Sequence, residues 1–389
     1  MDNFIYQNGT RIIFGKGTET SVGLETKLHS NKVLLHYGGG SIKKTGLYDR
    51  VIKSLKEAGV EVVELSGVLP NPRLSLVHEG IRLCREKDIS FVLAVGGGSA
   101  IDSAKAIAAG VPYEGEVWDF YEGKAQPQKV LPVGVVLTIP AAGSESSENS
   151  VITNENGWYK RGLGHELLRP VFAIMNPELT YTLPPYQIAC GATDIMAHVL
   201  ERYFTHTPNV DFTDRMCEAA LKTIILNVPK ILKNPTDYAP RAEMMWVGTI
   251  AHNNLLSTGR VGDWGSHRIE HEISAIYDIA HGAGLAIVFP AWMKYVYKHD
   301  VARFAQFAHR VWNIDDNLFD LEEMALKGIE SFEAFLSSIG MPVRLSQANI
   351  DDSRLEEMAD KCTGSDTYTV GSFLKIKRQD ALNILKLAR

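Results

Sequence analysis

Cysteine is scarce in this chain of 389 residues, and no two cysteines lie close together in the sequence. The four form no CxxC motif and are found at Cys84, Cys190, Cys217 and Cys362. Such spacing argues against a disulfide framework and against a zinc site built from thiolates. We therefore expect four reduced thiols that pack in the protein core.

The sequence also lacks a large excess of one charge and lacks long apolar runs. Its 40 basic and 46 acidic residues give a formal charge of -6, spread without long blocks of like charge, which predicts no nucleic-acid partner. The longest strongly apolar runs, at residues 133–140 and 283–293, fall well short of the roughly 20 residues that span a bilayer. No basic and then apolar segment follows Met1, so we expect a cytoplasmic protein without a membrane partner.

Short β-branched runs alternate with helical patterns in the first half of the chain. The runs typical of buried strands are 33–36, 60–65, 91–95 and 133–137, and the helical patterns are 42–58, 73–86 and 100–109. This alternation predicts a Rossmann-like parallel sheet with helices on both faces. The turn-rich residues 154–157 lie between 151–153 and 158–160, which predicts a β-hairpin that ends or caps this half.

The second half of the chain has the periodicity of long helices. After Leu183-Pro184-Pro185, helical patterns cover residues 186–204, 212–232, 241–256 and 321–339. Paired prolines suit the start of a helix. The sequence therefore predicts a boundary near residue 183, with an α/β dinucleotide-binding domain at 1–183 and an all-α metal-binding domain at 184–389.

A glycine-rich loop follows the predicted strand at 91–95. Gly96-Gly97-Gly98-Ser99 leads directly into an alanine-rich helix, a geometry that points backbone N–H groups and a helix dipole at a phosphate. The alternative is a tight turn in which Ser99 caps the helix and Asp102 completes a capping box. Both interpretations can hold together.

Two further loops end predicted strands. Gly38-Gly39-Gly40-Ser41 follows the strand at 33–36 and precedes Lys43 and Lys44. Enzymes that prefer NAD usually have a carboxylate at such a strand end, and none stands here, so the segment favours a 2′-phosphate; a surface turn with solvated lysines is the alternative. Residues 138–145 follow the strand at 133–137. Because ligands of open α/β sheets bind at this edge, we expect the three loops to line one cleft.

Acidic and histidine residues recur at ligand spacing in the second half. Asp194 and His198 lie four residues apart on a predicted helix, and three of the twelve histidines, His267, His271 and His281, lie within fifteen residues. A helix-surface pair is the alternative for the first two. A carboxylate with imidazoles suits Zn²⁺, Fe²⁺ or another divalent first-row metal. Such a metal polarises a carbonyl oxygen as hydride arrives.

Over nearly all of its length the sequence resembles the iron-containing (group III) alcohol dehydrogenases, most closely their NADP-linked butanol dehydrogenase or broad aldehyde reductase branch. The resemblance rests on the following segments: residues 37–44, 96–102, 143–145, 176–177 with 181–185, Asp194-(x3)-His198, Asp263-Trp264-(x2)-His267-(x3)-His271 and His281-Gly282.

This resemblance implies a dehydroquinate synthase-like fold and a site for one divalent metal, Fe²⁺ or Zn²⁺. It implies that Asp194, His198, His267 and His281 are the ligands and that His271 is a catalytic histidine outside the ligand set. It also implies a likeness of residues 3–16 to the family's first strands, which often take part in dimer contacts. The residues it implies for NADP(H) are Gly38, Gly39, Gly40, Ser41, Lys44, Gly96, Gly97, Gly98, Ser99, Asp102, Thr138, Ser144 and Lys160.

The expected activity is therefore the interconversion of small, butanol-like primary alcohols and their aldehydes with NADP(H), by a homodimer. Three alternatives remain at this stage. An NAD-linked glycerol or diol dehydrogenase of the same fold is disfavoured by the missing carboxylate in residues 38–41. A lyase of a phosphorylated acid would need a basic pocket, whereas neutral residues such as Trp264 and Ile269 stand in the metal segments. A catalytically silent metal or nucleotide sensor is the third.

Overall fold

The structure is a computed structural model that describes residues 1–316 and 318–389. The chain forms two compact units. The sheet unit comprises Gln7–Leu183 and Pro235–Asn253, and the helical unit comprises Met1–Tyr6, Pro184–Asn234 and Asn254–Arg389.

The strands are β1 (Arg11–Phe14), β2 (Lys32–Gly38), β3 (Glu61–Val68), β4 (Val92–Gly96), β5 (Val133–Leu137), β6 (Asn149–Asn154), β7 (Tyr159–Gly164) and β8 (Phe172–Met175). The helices are α1 (Val22–Lys27), α2 (Ser41–Lys44), α3 (Leu47–Glu57), α4 (Leu74–Glu86), α5 (Gly98–Gly110), α6 (Trp118–Tyr121), α7 (Pro185–Tyr203), α8 (Asp211–Lys233), α9 (Tyr238–His252), α10 (Gly265–Tyr277), α11 (His281–Val296), α12 (Val301–Trp312), α13 (Leu321–Ser338), α14 (Leu355–Thr363) and α15 (Arg378–Leu387). Short 3-10 helices are Thr18–Ser21, Ser144–Ser146, Glu166–Leu168, Pro177–Thr180, Leu255–Ser257, Tyr297–His299 and Ser346–Ala348.

The sheet unit is built on a six-stranded parallel sheet with the order β1-β8-β5-β4-β2-β3. Its central strands are continuous apolar runs because helices cover both of their faces. Leu34 packs into the core on one face and Leu35 into the core on the other. The predicted fold class, a parallel α/β sheet followed by a helical region, is confirmed.

The predicted hairpin forms from β6 and β7, which pair antiparallel. It does not end this half of the chain, because β8 follows it and returns to the sheet between β1 and β5. The sequence patterns did not predict β8. From residues 3–16 only β1 becomes a strand, at the edge of the sheet.

Two helices differ from their sequence-based predictions. Residues 42–58 form α2 and α3 instead of one helix, because Gly46 between them has a φ of 70°, in the left-handed region. The capping box expected from Ser99 and Asp102 is also absent, since α5 begins at Gly98 with Gly97 as its N-cap residue and no side-chain cap.

Helix α9 packs within the sheet unit, although it follows residue 183 by more than fifty positions. The Trp246 ring stands edge-on to Phe14 with centroids 6.2 Å apart, and the Thr249 hydroxyl donates to the buried Glu145 carboxylate. A single boundary at 183 therefore does not account for Pro235–Asn253 or for Met1–Tyr6.

In the helical unit, α11 packs against both α7 and α10. Gly282 permits this packing, because a Cβ at that position would lie 2.1 Å from the carbonyl oxygen of Cys190 on α7. Among the helices of the described residues, none has the length and apolar character to cross a membrane. The four cysteines are free, and Cys190 differs from the other three in being only partly buried.

Candidate metal centre and nucleotide loops

Three helices of the helical unit bring acidic and imidazole groups together. Helix α7 supplies Asp194, α10 supplies His267, and α11 begins at His281. One ligand atom from each of these three residues lies within 4.8 Å of the others. A single cation could therefore contact all three side chains.

His198 borders this group without belonging to the mutual 4.8 Å set found in the described part of the chain. Its Nδ1 is 2.8 Å from the Asp194 carbonyl oxygen and 3.0 Å from the Asp194 carboxylate. Its ring centroid lies 4.7 Å from that of His267. The sequence predicted that Asp194 and His198 share one helix face, and they lie there side by side.

His267 is held by a buried carboxylate that the sequence patterns did not predict. Its Nδ1 is 2.6 Å from Oε1 of Glu201, a residue with 0% of its surface exposed. Its other ring nitrogen, Nε2, is buried and has no hydrogen-bond partner within the described residues. Burial raises the pKa of Glu201, but the Ser266 hydroxyl and the N–H groups of Trp264 and His267 donate to it and favour its ionised form. Because an ionised carboxylate can only accept, Nδ1 then carries the proton and Nε2 presents a lone pair. This is the state that a metal ligand requires.

His281 has a similar partner. Its Nδ1 makes a short contact with Oε2 of the fully buried Glu270, and its Nε2 lies 3.8 Å from Asp194 Oδ1. Glu270 also accepts from the Ser274 hydroxyl. A Cβ at Gly284 would lie 2.5 Å from Glu270 Oε1, so the glycine leaves space for this carboxylate.

The electrostatics of the cluster favour ionised Asp194 and neutral His267. Burial alone would raise the pKa of Asp194, but the neighbouring His198 and His281 outweigh it and hold that pKa well below its usual range. Burial, reinforced by the same two imidazoles, lowers the pKa of His267 well below its usual value. One carboxylate, neutral imidazole and a buried nitrogen lone pair together fit a divalent transition metal.

His271, the expected catalytic histidine, lies one helical turn after His267 on α10. Its ring centroid is 5.7 Å from that of His281. It also forms a second potential ligand group with Glu270 and His281, again within 4.8 Å. His271 therefore lies close enough to the cluster to act beside it or within it.

Trp264 closes one side of the cluster in an unusual conformation. Its φ of 65° is in the left-handed region, which a bulky residue seldom adopts. The backbone N–H of Trp264 donates to Glu201 at 2.6 Å. The Trp264 ring stands edge-on to the His267 ring, with centroids 5.2 Å apart. Backbone strain of this kind is found mostly at functional sites.

Glu201 and Glu270 are the residues that reasoning from sequence missed. The available signal for Glu201 was a polar stripe at i, i+4 and i+7, formed by Asp194, His198 and Glu201 on one face of α7. Glu270 stands directly before His271 and could not be separated from surface acids by spacing alone.

In the sheet unit, the loop at residues 96–99 joins β4 to α5. A Cβ at Gly97 would lie 2.9 Å from the Ile139 Cβ, and one at Gly96 would lie 2.7 Å from the Ala100 Cβ. Only glycine fits at these two positions without a shift of the neighbouring side chains, because a Cβ would clash with them. The Thr138 backbone N–H donates to Gly96 O at 2.9 Å, so the ends of β4 and β5 lie side by side, as expected for loops that line one cleft.

The loop at residues 38–41 is open at its centre. Among the described residues, no heavy atom beyond those of the adjoining residues lies within 4 Å of a Cβ built on Gly39 or Gly40. Ser41 starts α2, and Lys44 is exposed. Lys43 instead lies over the Tyr48 ring at 4.6 Å and 4.0 Å from the Glu64 carboxylate.

Glu64 is a carboxylate that the loop sequence alone could not reveal, since it comes from the neighbouring strand β3. It accepts from the hydroxyls of Tyr37 at 2.7 Å and Tyr48 at 2.5 Å. Lys43 therefore contacts Glu64 and the Tyr48 ring, whereas Lys44, the lysine expected at the cofactor, is exposed.

Asp102, Ser144 and Lys160 lie in or near a buried polar network. Asp102 accepts from the Ser144 hydroxyl at 2.5 Å and from the Val151 N–H at 2.9 Å. Lys105 donates to the Ser144 hydroxyl at 2.9 Å, and burial lowers its pKa to about 8. Burial raises the pKa of Asp102, while Lys105 and Lys160 favour its ionised form. Asp102 and Ser144 thus tie α5 to the start of the hairpin, whatever else they contact.

Comparisons with known proteins agree on a family. Residues 9–177 match the family model described as iron-containing alcohol dehydrogenase, and residues 188–389 match the model of the C-terminal domain of Fe-containing alcohol dehydrogenases. The probable NADH-dependent butanol dehydrogenase 1 of Bacillus subtilis is 46% identical over 99% of each chain. The NADPH-dependent aldehyde reductase YqhD of Escherichia coli is 39% identical over 93% of each.

The fold agrees with these sequence matches. The crystal structure of an NADH-dependent butanol dehydrogenase A from Thermotoga maritima superposes with a TM-score of 0.96 at 44% identity, and the match covers 100% of this chain and 99% of that one. The similarity therefore extends over both units of the chain.

Proposed function

Because the chain belongs to the iron-containing alcohol dehydrogenase family and is an alcohol or aldehyde oxidoreductase, we propose that it uses NADP(H) and one divalent metal, Fe²⁺ or Zn²⁺. Its proposed substrates are small primary alcohols, such as butanol, and the corresponding aldehydes. We assign the nucleotide to the sheet unit and the metal to the helical unit.

The observation that carries this proposal is the group of Asp194, His267 and His281, with the buried and unpartnered Nε2 of His267. With the adjacent His198, these residues would hold the metal. When bound, a divalent metal polarises the substrate carbonyl and stabilises the negative charge that develops on its oxygen. Asp194 supplies negative charge, and the imidazoles supply neutral nitrogen donors.

His271 is the proposed proton donor to the substrate oxygen in aldehyde reduction. Hydride addition leaves an oxygen that needs a proton, and an imidazole with an ordinary pKa of about 6.5 is suited to supply one near neutral pH. Its place one turn after His267, with its ring near that of His281, supports this role.

The amides of residues 96–99 at the start of the 13-residue helix α5 are proposed to bind the pyrophosphate. Residues 38–41 and Lys44 are proposed to surround the 2′-phosphate of NADP(H), and Thr138, Ser144, Asp102 and Lys160 to lie along the cofactor. The open space at Gly39 and Gly40 and the exposed lysine support the preference for NADP(H). The names of the relatives differ in the cofactor. The Bacillus protein is NADH-dependent by name, and the Escherichia protein is NADPH-dependent by name.

The activity is tested by following the consumption of NADPH with butyraldehyde, with and without a chelator. We expect turnover that the chelator abolishes and that added Fe²⁺ or Zn²⁺ restores. Binding of NADPH or metal without turnover across an aldehyde panel would identify a silent sensor. Turnover confined to glycerol or diols with NAD would identify the other dehydrogenase of this fold.

The cofactor preference is tested by comparing kcat/KM for NADPH and NADH in the unmodified protein and in Gly38→Asp. A Cβ at Gly38 meets the Val68 carbonyl oxygen at 3.4 Å, so a side chain fits with little adjustment. The new carboxylate should repel the 2′-phosphate and lower the preference for NADPH about a hundredfold. Equal efficiency with both cofactors in the unmodified protein would overturn the NADP(H) assignment.

We also propose a homodimer with residues 3–16 near its interface. Within this segment Ile5 has 99% of its surface exposed, and β1 is an edge strand of the sheet. Sedimentation of the full chain tests this assembly, and a monomer at micromolar concentration would contradict it.

A further inference from the structure

Two buried glutamates contact candidate ligand histidines at the nitrogen that faces away from the cluster. Glu201 contacts Nδ1 of His267, and Glu270 contacts Nδ1 of His281. Both glutamates have 0% of their surface exposed. We propose that Glu201 and Glu270 are positioning residues that fix the proton on Nδ1 of these two histidines and thereby set the metal affinity of the site. This inference rests on the proposed metal site.

Glu201 is fixed from several directions. The N–H of Trp264 donates to its Oε2 at 2.6 Å, while the Ser266 hydroxyl and the His267 N–H donate to its Oε1 at 2.5 and 3.1 Å. These donors come from the first turn of α10 and the residue before it. The carboxylate is therefore held in place before it meets the imidazole, which it reaches at 2.6 Å.

This arrangement determines which nitrogen of His267 can bind a metal. The carboxylate accepts from Nδ1, so the proton stays there and Nε2 keeps its lone pair on the side of Asp194 and His281. A carboxylate on the far nitrogen also makes the imidazole a stronger donor to a metal, and such partners commonly contribute 10- to 100-fold in affinity.

Glu270 acts on His281 from within α10, through the close contact of its Oε2 with Nδ1 of the histidine. The Ser274 hydroxyl, one turn later on the same helix, donates to it. Gly284 leaves the space that the carboxylate occupies. His281 is 23% exposed at the start of α11, so fewer neighbours restrict its ring than restrict that of His267. Its contact with Glu270 then directs Nε2 toward Asp194.

The test measures binding of Co²⁺ by the full-length, metal-free protein, by competition with a chromophoric chelator and by the visible absorption of the Co²⁺ complex. Glu201→Gln and Glu270→Gln keep the side-chain volume and remove the charge. We expect each to weaken Co²⁺ binding roughly 10- to 100-fold and to alter the visible spectrum. Ser266→Ala, which removes one donor to Glu201 without changing charge, should have the same effect to a smaller degree.

The matched control is Glu218→Gln. Glu218 is a buried glutamate of α8 that accepts from the Tyr203 hydroxyl at 3.0 Å, and its replacement should leave Co²⁺ affinity and spectrum unchanged. Circular dichroism and thermal unfolding of each variant identify any loss of fold. If Glu201→Gln does not fold, Ser266→Ala and Glu270→Gln carry the test.

A double-mutant cycle separates positioning from general support of the fold. In the His267→Ala background, adding Glu201→Gln should cost no further Co²⁺ affinity, whereas adding Glu270→Gln should. In the His281→Ala background we expect the opposite result: adding Glu270→Gln should cost no further Co²⁺ affinity, whereas adding Glu201→Gln should. Unchanged affinity and spectrum in both glutamine variants, or losses that add regardless of background, would overturn the inference. Failure of the unmodified protein to bind one Co²⁺ would instead overturn the metal site itself, and this inference with it.

Discussion

Two buried histidines, one in each unit, show how a core residue differs from a candidate ligand. In the sheet unit, both ring nitrogens of His36 have partners, the Leu65 carbonyl oxygen at 2.9 Å and the Ser103 hydroxyl at 2.8 Å. In the helical unit, His267 has a partner at Nδ1 alone, and its buried Nε2 has none within the described residues. Burial lowers the pKa of both side chains.

The difference lies in hydrogen bonding, because burial and pKa direction do not separate the two residues. A buried polar atom without a partner costs free energy, and the metal proposed above would complete the buried Nε2 of His267. His36 needs no such group. The comparison predicts that the two histidines respond differently to substitution and to acid.

The largest expected effect comes from removing a member of the helical cluster. His267→Ala, His281→Ala or Asp194→Ala should lose bound metal on dialysis and nearly all turnover, because one ligand fewer leaves a weak and poorly shaped site. Elemental analysis and the aldehyde assay measure both. His299→Ala, at an exposed histidine of the helical unit, is the control. Full metal content and a normal rate of turnover in the cluster variants would mean that His267, like His36, is a core residue and not a metal ligand.

His36 should instead influence stability as the pH falls. Burial lowers its pKa from 6.5 to about 4, so between these pH values the unfolded chain binds a proton that the folded chain excludes. The stability contributed by neutral His36 is thus complete above pH 6.5 and is lost as the pH falls toward 4, by about 3 kcal/mol.

Urea unfolding of metal-free protein across this pH range measures the effect. His36→Gln should show a shallower loss of stability than the unmodified chain. Parallel pH profiles for the two proteins would mean that His36 is not the group responsible.

A third histidine gives the smallest expected effect and sharpens the comparison, since His271 is proposed to be neither a core residue nor a ligand. His271→Ala should retain metal and NADPH affinity while its turnover falls roughly 10²-fold, the lower end of general acid–base contributions. Steady-state kinetics from pH 6 to 9, with metal content measured alongside, test this prediction. Loss of metal would place His271 in the ligand set with Glu270 and His281, and unchanged turnover would leave the proton to solvent.

The sequence predicted the centre of the sheet well because strands buried on both faces are continuous apolar runs. It did not predict β8, whose four residues leave little pattern to read. The break between α2 and α3 depends on the conformation of Gly46, since an isolated glycine is compatible with a helix. The placement of α9 depends on tertiary contacts such as that of Trp246 with Phe14, which no local pattern encodes.

The candidate site was predictable to a similar extent. Histidine density and the family resemblance identified the cluster, and the structure brings Asp194, His267 and His281 together. Glu201 could not be paired with His267 because 66 residues separate them. Nor could the sequence reveal that Glu64, from another strand, engages Lys43 beside the loop at 38–41.

The sheet unit takes one of its segments, Pro235–Asn253, from beyond the first part of the helical unit, and this affects the order in which the protein can fold during synthesis. When Leu183 has left the ribosome, the surface of the sheet unit that α9 covers is still exposed to solvent. It remains exposed until about 70 further residues have been synthesised. Met1 and Asp2 also depend on partners that lie later in the sequence. The Met1 amine donates to the Pro208 carbonyl oxygen, and the Asp2 N–H donates to that of Gly259. Met1 and Asp2 therefore reach their final contacts only after Gly259 has been synthesised.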